Sequence, residues 1–137
     1  MAISSIYSKS FQIRASAIDE NGHVNNVAYI QWMQEIAVEH YFSSGGTHPR
    51  QLLGRTWVVR EHKIEYLLPA FAGEEIEIRT WVENIRRVRL LRQYEFIRGS
   101  DHKLLARGET VWVYVDASTG RPLAIPKDVY GVFSIHT

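Results

Sequence analysis

The segment Asp19-Glu20-Asn21-Gly22-His23-Val24-Asn25-Asn26-Val27-Ala28-Tyr29 marks where one residue periodicity stops and another starts. Its first eight residues are mostly turn and capping types, which bend the chain and compete for backbone hydrogen bonds. From Val27 the period becomes helical. Tyr29, Met33, Ile36, Ala37, His40 and Tyr41 fall at i, i+4, i+7, i+8, i+11 and i+12, one face of an amphipathic helix. Asn25 or Asn26 is placed to cap that helix, because an Asn side-chain oxygen accepts an orphan N–H of the first turn. Gln31, Glu35 and Glu39 follow an i, i+4, i+8 line on the opposite side, the pattern of a solvated face. Ser43, Ser44, Gly45 and Gly46 end the helix, and a loop runs on through His48, Pro49 and Gly54.

Upstream, Tyr7 to Ala15 alternates Phe11 and Ile13 with Gln12 and Arg14 and reads as a strand. Downstream, four more strands are expected. Trp57 to Leu68 opens near a Val pair and closes at Pro69. Glu74 to Glu83 sets Ile76, Ile78, Thr80 and Val82 against Glu75, Glu77 and Arg79. Arg86 to Arg98 carries Val88, Leu90, Tyr94 and Phe96 on one face. Leu104 to Asp116 becomes apolar on both faces, as a central strand does. The short connections Glu83-Asn84-Ile85 and Gly99-Ser100-Asp101 predict antiparallel hairpins. One long helix against an antiparallel sheet is an α+β layout.

Length and composition set outer bounds. A chain of 137 residues suits one domain, taken as residues 1–137, with a core of its own. Formal net charge is +1 and dispersed, which argues against bulk electrostatic capture of nucleic acid or of an anionic membrane. The absence of cysteine excludes a thiol nucleophile, disulfides and cysteine-based zinc sites. The six histidines show no ligand-like spacing, so no metal is called for. Neither G-x-S-x-G, G-x-G-x-x-G nor a P-loop is present, and no cofactor is indicated. The first residues lack an apolar signal core, and no run nears the ~18 apolar residues of a membrane span; a soluble cytoplasmic protein is expected.

The order of elements and the segment Asp19 to Tyr29 resemble hot-dog fold thioesterases of the 4-hydroxybenzoyl-CoA thioesterase type. In these an Asp is followed three residues later by Gly and ten later by Tyr, here Gly22 and Tyr29. The H-V-N-N within it is similar to the acyl-ACP thioesterase branch. Trp57 to Arg60, Tyr66 to Ala70 followed by Gly73, and the late V-W-V-Y-V-D strand fall where that family has similar stretches. The resemblance implies a hot-dog fold, one helix wrapped by a five-stranded antiparallel sheet. It also implies a homodimer or homotetramer with active sites at the dimer interface, and hydrolysis of an acyl-CoA or acyl-ACP thioester. H-V-N-N leans toward fatty acyl chains, with the family's aromatic and small branched substrates as the alternatives.

Thioester hydrolysis needs an oxygen nucleophile or activated water, and positive polarisation of the carbonyl. A carboxylate ahead of a helix supplies the first; backbone N–H groups at the helix start supply the second. Asp19 is that carboxylate, and by position in the motif the Asn26 N–H is the oxyanion donor, with Gly22 turning the chain between them. The resemblance implies that Asp19 attacks directly or acts as general base on water. His23 either shapes the site or is a loop residue; Asn25 contacts substrate or caps the helix. Glu35 is the second candidate acid, on what reads as the solvated face. Arg60 and His62 share strand parity with Val58, Ile64 and Tyr66, so they line a pocket or mark a bulge. Tyr29 and Trp57 are substrate contacts or core. Arg86, Arg87 and Arg89 would suit CoA phosphates or an acidic carrier protein, or form a solvated hairpin end. Two rival readings are a non-catalytic acyl-thioester binder, which has no need of Asp19, and a hot-dog dehydratase working through His23.

Overall fold

In the computed structural model, which describes residues 4–46 and 53–133, β1 (Tyr7–Gln12) leads through a 3-10 turn (Ala15–Ala17) into α1 (Asn26–Ser43). Then follow β2 (Arg55–Tyr66), β3 (Glu75–Arg86), β4 (Arg89–Arg98), β5 (Leu104–Asp116) and α2 (Lys127–Phe133). The five strands form one sheet in the order β1-β3-β4-β5-β2, every pair antiparallel. The α+β layout and five-stranded sheet expected from the sequence are therefore present. Because β1 and β2 lie at opposite edges, the chain crosses the sheet with α1 and returns with residues 67–74. Helix start and return segment meet at one end of the sheet, and that meeting positions the site.

Alternation decides what the helix covers. Ile76, Ile78, Thr80 and Val82 of β3, and Leu90, Arg92, Tyr94 and Phe96 of β4, are all buried on the inner face. Tyr29, Met33, Ile36, Ala37 and His40 of α1 pack onto them, which is the predicted helical face. Met33 reaches full burial because β5 has Gly108 beneath it. A Cβ there would stand 3.0 Å from the Met33 sulfur. Beyond the end of α1 the inner face is covered by Ile125 and Val129, which pack on Val82, Leu90 and Tyr114.

Several boundaries differ from expectation. β1 stops at Gln12 rather than Ala15, because Ile13 leaves the ladder to bond Glu74 and the 3-10 turn follows. β2 stops at Tyr66 rather than Leu68; the N–H groups of Leu67 and Leu68 both turn onto the Leu105 carbonyl. Glu83-Asn84-Ile85 is no turn: it lies within β3, which has a register shift between Val82 and Asn84. The turn falls at Arg87 and Val88, with Arg87 in the left-handed region at φ 47°. A second shift between Val59 and Glu61 takes Arg60 out of the alternation. α2 was not foreseen, since seven residues are too few to show a period. The loop expected through His48 and Pro49 lies outside the described residues.

The inner face also holds a buried cation. Arg92, 2% exposed, donates from Nη1 to His40 Nδ1 at 2.8 Å and to Thr80 Oγ1 at 3.1 Å. Tyr7 stacks on the His40 ring, 5.2 Å between centroids. Burial foremost, and the neighbouring guanidinium second, push His40 down to about 4. Arg92, lowered by burial to about 10, keeps its charge at neutral pH. His40 is thus neutral in the fold, with the Nδ1 lone pair facing Arg92.

This sets a pH dependence. Between pH 6.5 and about 4 the unfolded chain protonates His40 while the folded chain does not, so stability falls as the pH falls through that window. The contribution is on the order of 3 kcal/mol when complete. Replacing His40 by Gln should flatten the acid limb of the urea-denaturation midpoint plotted from pH 7 to pH 4. An unchanged slope would mean that His40 is not the group responsible.

Candidate active site

The loop between β1 and α1 is built by local hydrogen bonds. Ile18 and Val24 form an antiparallel bridge, and the Asp19 N–H donates to the His23 carbonyl at 3.1 Å. The Gly22 N–H donates to the Asp19 carbonyl at 3.0 Å, with Gly22 at φ 83°, a conformation that favours glycine. The Asp19 carboxylate accepts the Asn21 N–H at 2.9 Å and is partly exposed. Val24 then donates to the Ala70 carbonyl and Asn25 to the Ala17 carbonyl, both at 2.8 Å, fixing the loop to the return segment and to the 3-10 turn.

Asn25 is the N-cap: its side-chain oxygen accepts the Val27 N–H at 2.8 Å. The helix begins at Asn26. Among the described residues the Asn26 N–H has no acceptor, while the Asn26 carbonyl accepts the Tyr66 hydroxyl at 3.3 Å. An unsatisfied donor at the positive end of an 18-residue helix is suited to an oxygen that gains negative charge.

Beside this donor lies a cavity of about 200 Å³, lined by His23, Val24, Asn26, Tyr29 and the segment Tyr66 to Ala70. Tyr29 is almost wholly buried. Its ring makes edge contacts with Trp32, Tyr66 and Phe96 at 5.0–5.5 Å between centroids. Burial, and secondarily the nearby Tyr66 and Glu74, push the Tyr29 hydroxyl up to about 12, so it stays protonated at any ordinary pH. The His23 Nδ1 lies 3.4 Å from the Val24 carbonyl. Around the mouth Val27, Tyr66, Leu67, Leu68 and Phe71 are exposed apolar side chains, Val27 at 67%.

His23, Asn26 and Tyr29 thus meet at one cavity, with Asp19 in the loop that His23 closes. Trp57 sits elsewhere, packed at 5.1 Å on Tyr114 in the core beneath α2. His62 bonds Thr110 Oγ1 at 2.9 Å and approaches Gln34 of α1, and it does not line this cavity. Arg60 is exposed on its bulge. Glu35 is exposed and accepts Gln31 Nε2 at 3.1 Å, as on a solvated face. Arg86, Arg87 and Arg89 stand at the β3–β4 turn, in the strand row of Val113 and Val58. That row is eight residues of β2 from Tyr66, roughly 25 Å away. The sequence reading did not assign Leu67, Leu68, Pro69 and Ala70 to the cavity. The signal available was Pro69, which ends a strand just after two adjacent apolar residues.

The family model of the thioesterase-like superfamily matches residues 13–133. An acyl-CoA thioester hydrolase of Escherichia coli, YbgC, is 26% identical over 119 residues, covering 84% of this chain and 86% of its own. A chloroplastic palmitoyl-acyl carrier protein thioesterase of Gossypium hirsutum is 24% identical over 133 residues, 92% of this chain and 32% of its own. Among solved structures, a 1,4-dihydroxy-2-naphthoyl-CoA thioesterase from Synechocystis superposes with a TM-score of 0.85 at 17% identity, covering 93% of this chain and 95% of its own. The last likeness is one of fold, and the fold is the hot-dog.

The cap can be tested apart from any chemistry. Asn25→Ala should cost about 1 kcal/mol of stability, seen as a lower urea midpoint at unchanged slope, whereas Asn25→Asp should retain most of it. Equal losses in both variants would show that Asn25 matters for something other than its accepting oxygen.

Proposed function

The chain belongs to the thioesterase-like superfamily, and from that premise we propose that it hydrolyses acyl-CoA or acyl-ACP thioesters at the start of α1. The observation that carries the reading is the unpaired Asn26 N–H at the helix N-terminus, bordering a cavity with Asp19 in the adjoining loop. Attack on a thioester carbonyl moves negative charge onto its oxygen. A fixed N–H backed by the helix dipole stabilises that charge without reorganisation. Either Asp19 attacks the carbonyl carbon, the C–S bond breaks, and water then hydrolyses the resulting mixed anhydride, or Asp19 takes a proton from a water that attacks and passes it to the sulfur as the C–S bond breaks; in the first case the leaving thiolate is protonated by solvent. His23 shapes the cavity wall, which Tyr29 also lines. Placement in the cytoplasm belongs to the same reading.

The exposed apolar rim at Val27, Tyr66, Leu67, Leu68 and Phe71 is in keeping with a homodimer that covers it. β2 is an edge strand of 12 residues, long enough to pair with its copy. Antiparallel pairing along that edge sets the Arg55 end of one protomer beside the Tyr66 end of the other. The turn bearing Arg86, Arg87 and Arg89, remote from its own cavity, then stands near the partner's. Three guanidinium groups suit the phosphates of CoA or of a phosphopantetheine carrier.

Two measurements test this. Because the chain has no cysteine, thiol release from a panel of acyl-CoAs and acyl-ACPs is read against no protein background. Asp19→Asn should lower kcat by ~100-fold or more. If the wild type releases thiol from no thioester, the non-catalytic binder becomes the better reading; if Asp19→Asn keeps full rate, the site is wrong while the activity stands. Replacing Arg86, Arg87 and Arg89 together by Ala should raise KM for acyl-CoA by ~10-fold with kcat little changed, and leave acyl-pantetheine, which lacks the nucleotide phosphates, unaffected. An equal effect on both substrates would remove the phosphate role.

A further inference from the structure

We propose that the Tyr29 hydroxyl is the specificity-determining group of the cavity, donating a hydrogen bond to an uncharged oxygen carried by the acyl chain. Short hydroxy- or oxo-substituted acyl thioesters are then accepted in preference to plain hydrocarbon ones. The proposal rests on the hydrolase reading, which places the thioester carbonyl at the Asn26 N–H.

Tyr29 is fixed before any ligand arrives. It is 2% exposed, and its ring is held edge-on by Phe96, Tyr66 and Trp32 at 5.0, 5.3 and 5.5 Å between centroids. Contacts on three sides hold the ring in one orientation, so its hydroxyl is aimed rather than free to search. A long side chain in a helix leans back over the turn N-terminal to its own Cα. For Tyr29 that is the first turn of α1, where Asn26 lies.

The hydroxyl has been left without work inside the chain. Among the described residues no group accepts its proton, and it is not sealed off from solvent. The space that Tyr29 lines is the cavity. The lining's other hydroxyl, on Tyr66, is committed: it donates to the Asn26 carbonyl at 3.3 Å. With the Asn26 N–H taken by the thioester oxygen, Tyr29 is left to meet the rest of the acyl group.

A hydrocarbon chain that fills the cavity strips water from this donor and offers nothing in its place, and an unsatisfied buried donor is costly. An oxygen at the same point restores the hydrogen bond. Burial holds the phenol protonated, with its pKa pushed up to about 12, so it stays a donor at any ordinary pH. The matching oxygen is uncharged, because no lysine or arginine stands among the lining residues to balance a carboxylate. At the ~30 Å³ that a water-sized group occupies, the cavity of about 200 Å³ takes a chain of about six heavy atoms. The oxygen therefore lies within a few bonds of the carbonyl.

Steady-state hydrolysis of matched thioesters tests the proposal, with butanoyl-CoA and hexanoyl-CoA each set against its 3-hydroxy and 3-oxo forms. The wild type should favour at least one oxygenated member over its parent by ~10-fold or more in kcat/KM. Tyr29→Phe keeps the ring and removes only the donor. It should bring that preference to within ~2-fold, by losing rate on the oxygenated member, with circular dichroism unchanged. Calorimetric Kd values for the same acyl groups, on CoA analogues with NH in place of the thioester sulfur, should show the same preference without turnover. If the wild type shows no preference in either measurement, or if Tyr29→Phe slows both members of every pair equally, the proposal is overturned while the hydrolase reading stands. If no thioester is cleaved, yet the binding preference is present and is lost in Tyr29→Phe, the hydrolase reading fails and the role of Tyr29 as donor is upheld.

Discussion

The structure depends on where α1 starts. Two backbone hydrogen bonds fix that point, from Val24 to the Ala70 carbonyl and from Asn25 to the Ala17 carbonyl. The first joins the segment that leaves β1 to the segment that returns from β2, and the second ties the helix start to the 3-10 turn. With the first turn held there, Tyr29 lands on Phe96 and Met33 on Gly108, and each further turn of the helix meets the next row of the inner face. A slip of one residue would rotate the apolar face by about 100° and bring toward the core Gln34 in one direction, or Glu35 and Glu39 in the other. The same corner leaves the Asn26 N–H open and walls the cavity with the return segment, so the bonds that seat the helix also build the site.

Most of this was legible because two periods write themselves into the chain. The helical face from Tyr29 to His40 and the alternation of Ile76, Ile78, Thr80 and Val82 were read correctly, since burial on one side selects residue types at a fixed spacing. The features that escaped are those without a period. The β3–β4 turn uses Arg87 at positive φ, not the Asn-Gly or Asp-Gly pair that announces such turns, and the bulge at Arg60 has no glycine to mark it. α2 is too short to declare a face. Arg92 had the correct parity, between Leu90 and Tyr94, yet a cation is not the residue one places in a core. Its partners, His40 and Thr80, come from another helix and another strand, and only the fold brings them together.

The candidate site divides in a similar way. Asn25, Gly22 and the helix start lie within eight residues and could be read as a unit from the sequence. The cavity wall from Tyr66 to Ala70 lies some forty residues on, and its apolar side chains look like ordinary strand until Pro69 ends it. The three arginines at the β3–β4 turn are the extreme case: one chain alone places them at the far end of the sheet from the cavity.

The two edges of the sheet are not equivalent. β1 has six residues, carries Ser8, Lys9 and Ser10 in its middle, and ties Lys9 back to Glu39 of α1 at 2.7 Å. Short length and an intramolecular charge are features that discourage a further strand. β2 is twice as long, and beyond its bulge at Arg60 its inner side carries His62, Ile64 and Tyr66 and leads into the exposed apolar cluster at Tyr66, Leu67 and Leu68. Desolvating that cluster together with an open row of peptide groups favours pairing at β2 over β1, whatever the turn chemistry elsewhere. A short edge tied by charge and a long open edge, on one sheet, are unequal templates for a further strand, and the long one ends at residues that line the cavity.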